Sequence, residues 1–220
     1  MEILYDDNYI TVCVKEPMML SEKSSTGNDI ISALDEYYNQ SGQSANAYPI
    51  HRLDFGVGGV MVFAKSHEAA AKMSALIADG ALEKEYLAVV SGRPQEENGI
   101  YEDLLFKDSK KNKSFVVKRK RAGVRDAKLA YKVIDSETID GEAFSLVRIK
   151  LYTGRSHQIR VQFSSSNMPL YGDRKYGSKT GNDIALWSFR LVIMHPKTRE
   201  RMEFSKLPEA DIFTCFKMPV

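Results

Sequence analysis

The chain has 220 residues, 43% hydrophobic and 27% charged, with a net charge of +2. That suffices for the core of one large domain or two small ones, and it does not by itself announce a nucleic-acid partner. No window approaches about 18 uninterrupted apolar residues, so no membrane span is expected. Met1-Glu2-Ile3-Leu4-Tyr5-Asp6-Asp7 is acidic and unlike a basic-then-apolar leader.

The chain opens with Ile3-Leu4-Tyr5, a turn at Asp6-Asp7-Asn8, and Tyr9 to Val14, which reads as a short hairpin ended by Lys15-Glu16-Pro17. Asp29 to Gln40 reads as a helix with Ile30, Ala33, Leu34 and Tyr37 as its stripe and Asn28 as candidate N-cap. Val60 to Lys65 is a mostly apolar strand. Ser66 then caps a helix to Asp79, with Ala69, Ala70, Met73 and Ile77 on one face and Gly80 at its end. Glu85 to Ser91 reads as the next strand, and others follow near Phe115–Lys118, Lys128–Ile134, Phe144–Leu151 and Ile184–Ile193. Gln158–Phe163 fits a helical turn or a strand, and Met202-Glu203-Phe204 a last strand partner. Strands outnumber interspersed helices, which predicts an α+β domain around a mostly antiparallel sheet. No repeat, low-complexity tract or linker stands out, so residues 1–220 read as one domain.

The two cysteines, Cys13 and Cys215, sit in apolar runs and read as buried thiols rather than a disulfide or metal pair, which suits a reducing cytoplasm. Charge is unevenly spread. Residues 1–50 carry two basic side chains against eight acidic ones, whereas residues 107–132 carry eleven Lys or Arg against two Asp. A basic face is expected there, and Lys118, Arg119 and Arg121 are candidate contacts to a phosphate backbone. A solvated loop would show the same charge run.

Five ordered blocks carry the chemistry. His51-Arg52-Leu53-Asp54 precedes Val57-Gly58-Gly59 and an apolar strand, which places a carboxylate beside a guanidinium at a strand mouth. Lys84-Glu85-Tyr86 leads a second strand. Thr153 to Val161 contains Gly154-Arg155-Ser156-His157-Gln158-Ile159-Arg160. Gly172-Asp173-Arg174-Lys175-Tyr176-Gly177 and His195-Pro196-Lys197-Thr198 follow. Together and in this order they resemble the RluA-type RNA pseudouridine synthases over nearly the whole chain. The chain departs from that pattern in three places. Glu16 is inserted in the opening Lys-Pro, Val57-Gly58 stands where Thr-Ser is usual, and Gln162 replaces a common His. The small N-terminal RNA-binding module that the family often carries is not expected.

The resemblance implies a pseudouridine synthase fold with a central catalytic cleft, and isomerisation of uridines in ribosomal or transfer RNA. The N1–C1′ bond breaks, the uracil turns, and C5 joins C1′. No atom is gained or lost, and no cofactor or metal is called for in principle. The resemblance makes Asp54 the essential carboxylate. It could attack C1′, take a ribose proton to give a glycal, or attack uracil C6. Each route needs Asp54 ionised, which a positive neighbour favours, and the resemblance implies that Arg160 is that neighbour. Tyr86 corresponds to an active-site tyrosine able to stack on uracil and relay the C5 proton. Arg52 matches the position associated with displacing or replacing a flipped base. His51, Lys65, Lys84 and Arg155 are candidate RNA or structural contacts. The histidines His51, His157 and His195 lack metal-ligand spacing and suit structural hydrogen bonds or a turn.

Two rival readings compete. A catalytically impaired RNA-binding protein of the same fold would keep the basic face, and the Val57-Gly58 departure is what favours it. An Asp-nucleophile glycosidase should show a second catalytic carboxylate, and no convincing partner accompanies Asp54. Structured RNA, such as a stem-loop with an exposed base, is the expected partner, with no membrane and no obligate protein partner.

Overall fold

Eleven strands and four α-helices follow one another along residues 1–219, the part of the chain described by the computed structural model. The order begins β1 (Glu2–Asp6), β2 (Ile10–Lys15), α1 (Ile30–Gln40), β3 (Tyr48–Pro49), β4 (Gly58–Ala64) and α2 (His67–Ala78). It continues β5 (Glu83–Ser91), β6 (Asn98–Asp108), β7 (Lys113–Val117), β8 (Val124–Ile139) and β9 (Glu142–Leu151). It closes with α3 (Gln158–Ser165), a 3-10 turn (Arg174–Tyr176), β10 (Leu186–Met194), β11 (Arg201–Ser205) and α4 (Asp211–Thr214). The pairings are mostly antiparallel and helices are few, which makes the α+β class a finding. The chain falls into two units, Met1–Lys84 with Trp187–Leu207, and Glu85–Leu186 with the segment from Pro208 onward.

In the first unit the strands lie in the order β1-β2-β4-β10, with β11 on β10 and β3 on β4. All pairings there are antiparallel except the parallel match of Trp187 with Gly58 and Ser188 with Gly59. Every residue of β2 and β4 is buried, so these strands show no polar alternation. Both sheet faces are covered. Ile10, Val12, Val60, Val62, Leu191 and Ile193 pack with Ala69 and Met73 of α2. Thr11 points the other way, and its hydroxyl meets the Tyr38 hydroxyl of α1 at 2.7 Å.

Helix α1 begins one residue later than the sequence suggested. Its N-cap is Asp29, whose Oδ1 accepts from the Ser32 N–H at 2.7 Å, while Asn28 donates its side-chain amide to the Met18 carbonyl. Asp29 is buried, which alone would raise its pKa. The Ser32 and Ser24 N–H groups outweigh that and hold the carboxyl below the ordinary range. Ser66 caps α2 as expected, accepting from the Ala69 N–H at 3.1 Å.

The second unit orders its strands β5-β9-β8-β6-β7, with antiparallel β9–β8–β6–β7 pairings. Strand β6 went unforeseen because neither of its faces is wholly buried: its residues alternate between exposed and half-buried over most of its length. Tyr101 turns inward to Tyr131 and to Phe163 of α3, at centroid distances of 5.3 and 5.1 Å. Ile100 turns outward, 59% exposed. The Gln158–Phe163 segment is helical, within α3. Cys13 is buried, and burial pushes its thiol up to about 12. Cys215, in contrast to expectation, is exposed.

The position of the cap can be checked directly. Asp29→Ala should lower unfolding stability by about 1–2 kcal/mol in a denaturant titration. Asn28→Ala should stay within about 0.5 kcal/mol of the parent.

Candidate active site

The His51–Asp54 segment is pinned from beneath. The Ser21 hydroxyl donates to the Leu53 carbonyl at 2.8 Å and accepts from the Leu53 N–H at 3.0 Å. The Val57 N–H then closes a turn on the Asp54 carbonyl at 3.0 Å. Asp54 is therefore held, half-buried, between a two-point anchor and the start of β4. Lys15 lies alongside. Its side chain has no exposed surface, and its ammonium donates to the carbonyls of Glu16 (2.9 Å), Met19 (2.7 Å) and Phe55 (3.5 Å). Burial pushes this ammonium down to about 8, while the charges of Asp54 and Glu16 oppose the shift. The Lys15 charge thus acts directly on Asp54. In the sequence Lys15 stands out only as part of an altered Lys-Pro; its signal was a lysine ending an otherwise uncharged, fully buried strand.

At Gly58 the departure has a steric cause, and Gly59 is likewise confined to glycine. A Cβ on Gly58 would lie 2.4 Å from the Trp187 ring, and one on Gly59, at φ +121, would lie 2.3 Å from the Ser188 carbonyl oxygen. Trp187 fills the space that a side chain at position 58 would take, and it is itself fixed by its indole N–H donating to the Lys206 carbonyl at 2.7 Å.

The remaining candidates of this unit differ in role. Arg52 is exposed, with Nη1 2.7 Å from Glu22 Oε1. His51 accepts the Val62 N–H on Nε2 at 3.3 Å. Burial, helped by the nearby Lys84 charge, pushes its pKa down to about 3. It is therefore neutral, and it brings no cation to a phosphate. Its Nδ1 has no hydrogen-bond partner among the described residues. Lys84 is half-buried and its pKa is lowered by burial. Lys65, expected as an RNA or a structural contact, makes structural ones. It lies beyond the far end of β4, about 20 Å of strand from the Asp54 loop. Its buried ammonium pairs with Asp6 at 2.9 Å and bonds Gln43. It is an internal ion pair rather than a surface charge.

In the second unit Arg160 is buried in the first turn of α3. It meets Asp173 in a two-point pair, Nε to Oδ2 at 2.7 Å and Nη2 to Oδ1 at 2.8 Å. Asp173 has no exposed surface, and the Tyr176 ring lies 5.1 Å from the guanidinium. The Tyr176 hydroxyl accepts from the Ser114 N–H at 2.8 Å and meets His157 Nδ1 at 2.9 Å. The Gly172–Gly177 motif is thus the bracket of Arg160. Gly172 serves it at φ +75, where a Cβ would meet the Asp183 carbonyl oxygen at 1.8 Å. The Thr153–Gln158 loop closes on itself, with Gln158 Oε1 accepting from the Thr153 hydroxyl and the Arg155 N–H. Arg155 remains exposed, its Nε donating to the Asp126 carbonyl at 2.9 Å. Gln162, where a His is common, donates to Asp103 at 2.7 Å.

Tyr86 is 6% exposed on β5. Strand alternation puts it on the opposite sheet face from its neighbour Glu85, which accepts from Arg148 Nε at 2.5 Å. Lys118, Arg119 and Arg121 lie exposed between β7 and β8, with the Arg121 guanidinium 4.9 Å from the Phe106 ring. Lys113, from the same basic run, is spent internally on the Lys175 carbonyl and the Tyr176 ring. His195, in its turn, accepts the Thr198 N–H on Nδ1 and so donates from Nε2 to Asp7 at 2.9 Å. Among the described residues, no helix is long and apolar enough to cross a membrane, and no three His, Cys, Asp or Glu stand together to hold a metal ion.

The family model for RNA pseudouridylate synthase matches residues 9–165. The chain belongs to that family. It is an isomerase of the RNA pseudouridine synthase type, and the matched span contains Asp54, Tyr86 and Arg160. The tRNA pseudouridine synthase C of Haemophilus ducreyi is 32% identical over 222 residues, 94% of this chain and 90% of that protein. The RNA pseudouridine synthase YhcT of Bacillus subtilis is 30% identical over 205 residues, 91% of this chain, and the chain spans 66% of its length. The solved structure of human RNA pseudouridylate synthase domain containing 1 superposes with a TM-score of 0.80 at 22% identity, over 98% of this chain and 87% of that one. That likeness shows the fold.

Two consequences of this geometry are measurable. Asp173→Ala removes the two-point partner of the buried Arg160 and should cost about 3–5 kcal/mol in urea unfolding. Lys15 gives a pH signature. Its folded pKa, about 8, lies below its ordinary 10.5, so between those values the unfolded chain binds a proton that the folded chain lacks. Folding stability should therefore rise with pH across that window relative to Lys15→Met, and a flat difference would contradict the assignment.

Proposed function

We propose that this synthase converts specific uridines of structured ribosomal or transfer RNA to pseudouridine, with Asp54 as the essential carboxylate. The observation that carries the reading is the anchoring of the Asp54 loop. Ser21 clamps Leu53 at both main-chain groups, a turn from Asp54 to Val57 follows at once, and the buried Lys15 interacts electrostatically with Asp54. A carboxylate held this firmly suits attack on C1′, attack on C6 or removal of a ribose proton.

By the family resemblance, Tyr86 stacks on the uracil and relays the C5 proton, and Arg160 is the cation that accompanies the carboxylate. The rigidity of Arg160 on Asp173 and Tyr176 supports a fixed electrostatic role. Arg52 takes the place of the flipped base. Arg155, Lys118, Arg119 and Arg121 offer exposed charge to phosphates, with Lys84 as a further contact. His51 supports the loop through Val62 rather than binding RNA by charge. The name of the Haemophilus relative supports a transfer-RNA target. We read residues 1–220 as one catalytic domain acting on a stem-loop in the cytoplasm.

Pseudouridine mapping of ribosomal and transfer RNA from cells with and without the gene tests this, with wild-type or Asp54→Ala copies added back. Loss of one or a few sites, restored by wild type and not by Asp54→Ala, is the expected result. Purified Asp54→Ala should keep RNA affinity within about threefold while losing at least about a thousandfold in rate. Unchanged sites, with RNA binding intact, would favour the impaired RNA-binding protein that the Val57-Gly58 departure suggested.

A further inference from the structure

Two short segments of the first unit run side by side, and their register is fixed. The reciprocal bonds between Ser21 and Leu53, 2.8 and 3.0 Å, hold position 21 against position 53. The neighbours on each side, Glu22 and Arg52, then meet at 2.7 Å through Oε1 and Nη1. Both side chains are more than half exposed, at 63% and 59%. Arg52 therefore rests on a carboxylate supplied by the same segment whose Ser21 anchors the Asp54 loop.

We propose that Glu22 is a positioning residue that parks Arg52 until RNA displaces it. This rests on the functional reading in which Arg52 enters the space left by a flipped base. A guanidinium bonded to Glu22 is committed to another acceptor, so base replacement requires the pair to break. An exposed pair is weak enough to exchange for a phosphate or base acceptor, and sufficient to fix a resting position for a long side chain. The placement has a cost that suits a latch. A carboxylate beside the catalytic loop opposes an approaching polyanion, and it is offset only while Arg52 neutralises it. Glu22 thereby resists RNA twice, by holding Arg52 and by standing uncovered once Arg52 has left.

Only the first of these effects needs Arg52, and that separates a latch from simple repulsion. The test is a double-mutant cycle of wild type, Glu22→Gln, Arg52→Met and the double variant. Bulk transfer and ribosomal RNA from cells lacking the gene serves as probe, with affinity by filter binding and KM and kcat for pseudouridine formation read in parallel. Glu22→Gln should tighten binding and lower KM by up to about fivefold, the range open to an exposed pair, with kcat little changed. In the Arg52→Met background most of that gain should vanish. An equal gain in that background would reduce Glu22 to through-space repulsion and overturn the latch, as would unchanged or weakened binding by Glu22→Gln. Failure of wild type to form pseudouridine would count against the functional reading instead, and the affinity cycle would still decide the latch.

Discussion

An ammonium with no exposed surface must be solvated by the protein itself, and Lys15 obtains that solvation from three main-chain carbonyls, those of Glu16, Met19 and Phe55. Those carbonyls belong to the chain leaving β2 and to the loop entering β4, so one buried charge ties the two together. The loop carries Asp54, and its opposite flank is clamped by Ser21. The strain of burying Lys15 shows in its lowered pKa. What the fold gains is a loop whose backbone is anchored on both flanks beside a buried positive charge. Trp187 completes the mounting by filling the space over Gly58, which leaves room for glycine there and little else.

A similar economy governs the second unit. Arg160 is buried and would be costly alone, so Asp173 meets it with both oxygens and Tyr176 lies across it. Tyr176 in turn joins β7, through the Ser114 N–H, to the α3 start at His157. His157 has φ +53, a left-handed turn that delivers Arg160 within the first turn of the helix. In both units a charged group of chemical interest has a buried charged neighbour, Lys15 by the Asp54 loop and Asp173 on Arg160.

The motif residues were legible in the sequence because each is bound to a local pattern: a carboxylate before an apolar strand, a lysine and tyrosine opening another. The supports were less so. Lys15 and Ser21 act on residues about 30 to 40 positions away, a distance that no local period records. Asn28 and Asp29 are both good capping types, and only the backbone shows that Asp29 accepts from Ser32. Strand β6 hid because one of its faces is wet and the other sets a half-buried Tyr101 against buried Tyr131 and Phe163. Helix α3 was ambiguous because eight residues with all but two buried show no stripe. Lys65 stayed open between an RNA and a structural contact because nothing near it in sequence revealed Asp6 and Gln43.

The central claim is that Asp54, as mounted, is the group on which the isomerisation turns. Joining C5 to C1′ releases the C5 hydrogen, so RNA carrying tritium at uridine C5 reports each turnover as tritium in water. Purified wild-type protein and Asp54→Asn, a change that keeps the size of the side chain and removes its charge, should be compared on the same RNA. Release by wild type with none above background by a folded Asp54→Asn is the predicted result. Comparable release by both would contradict the account.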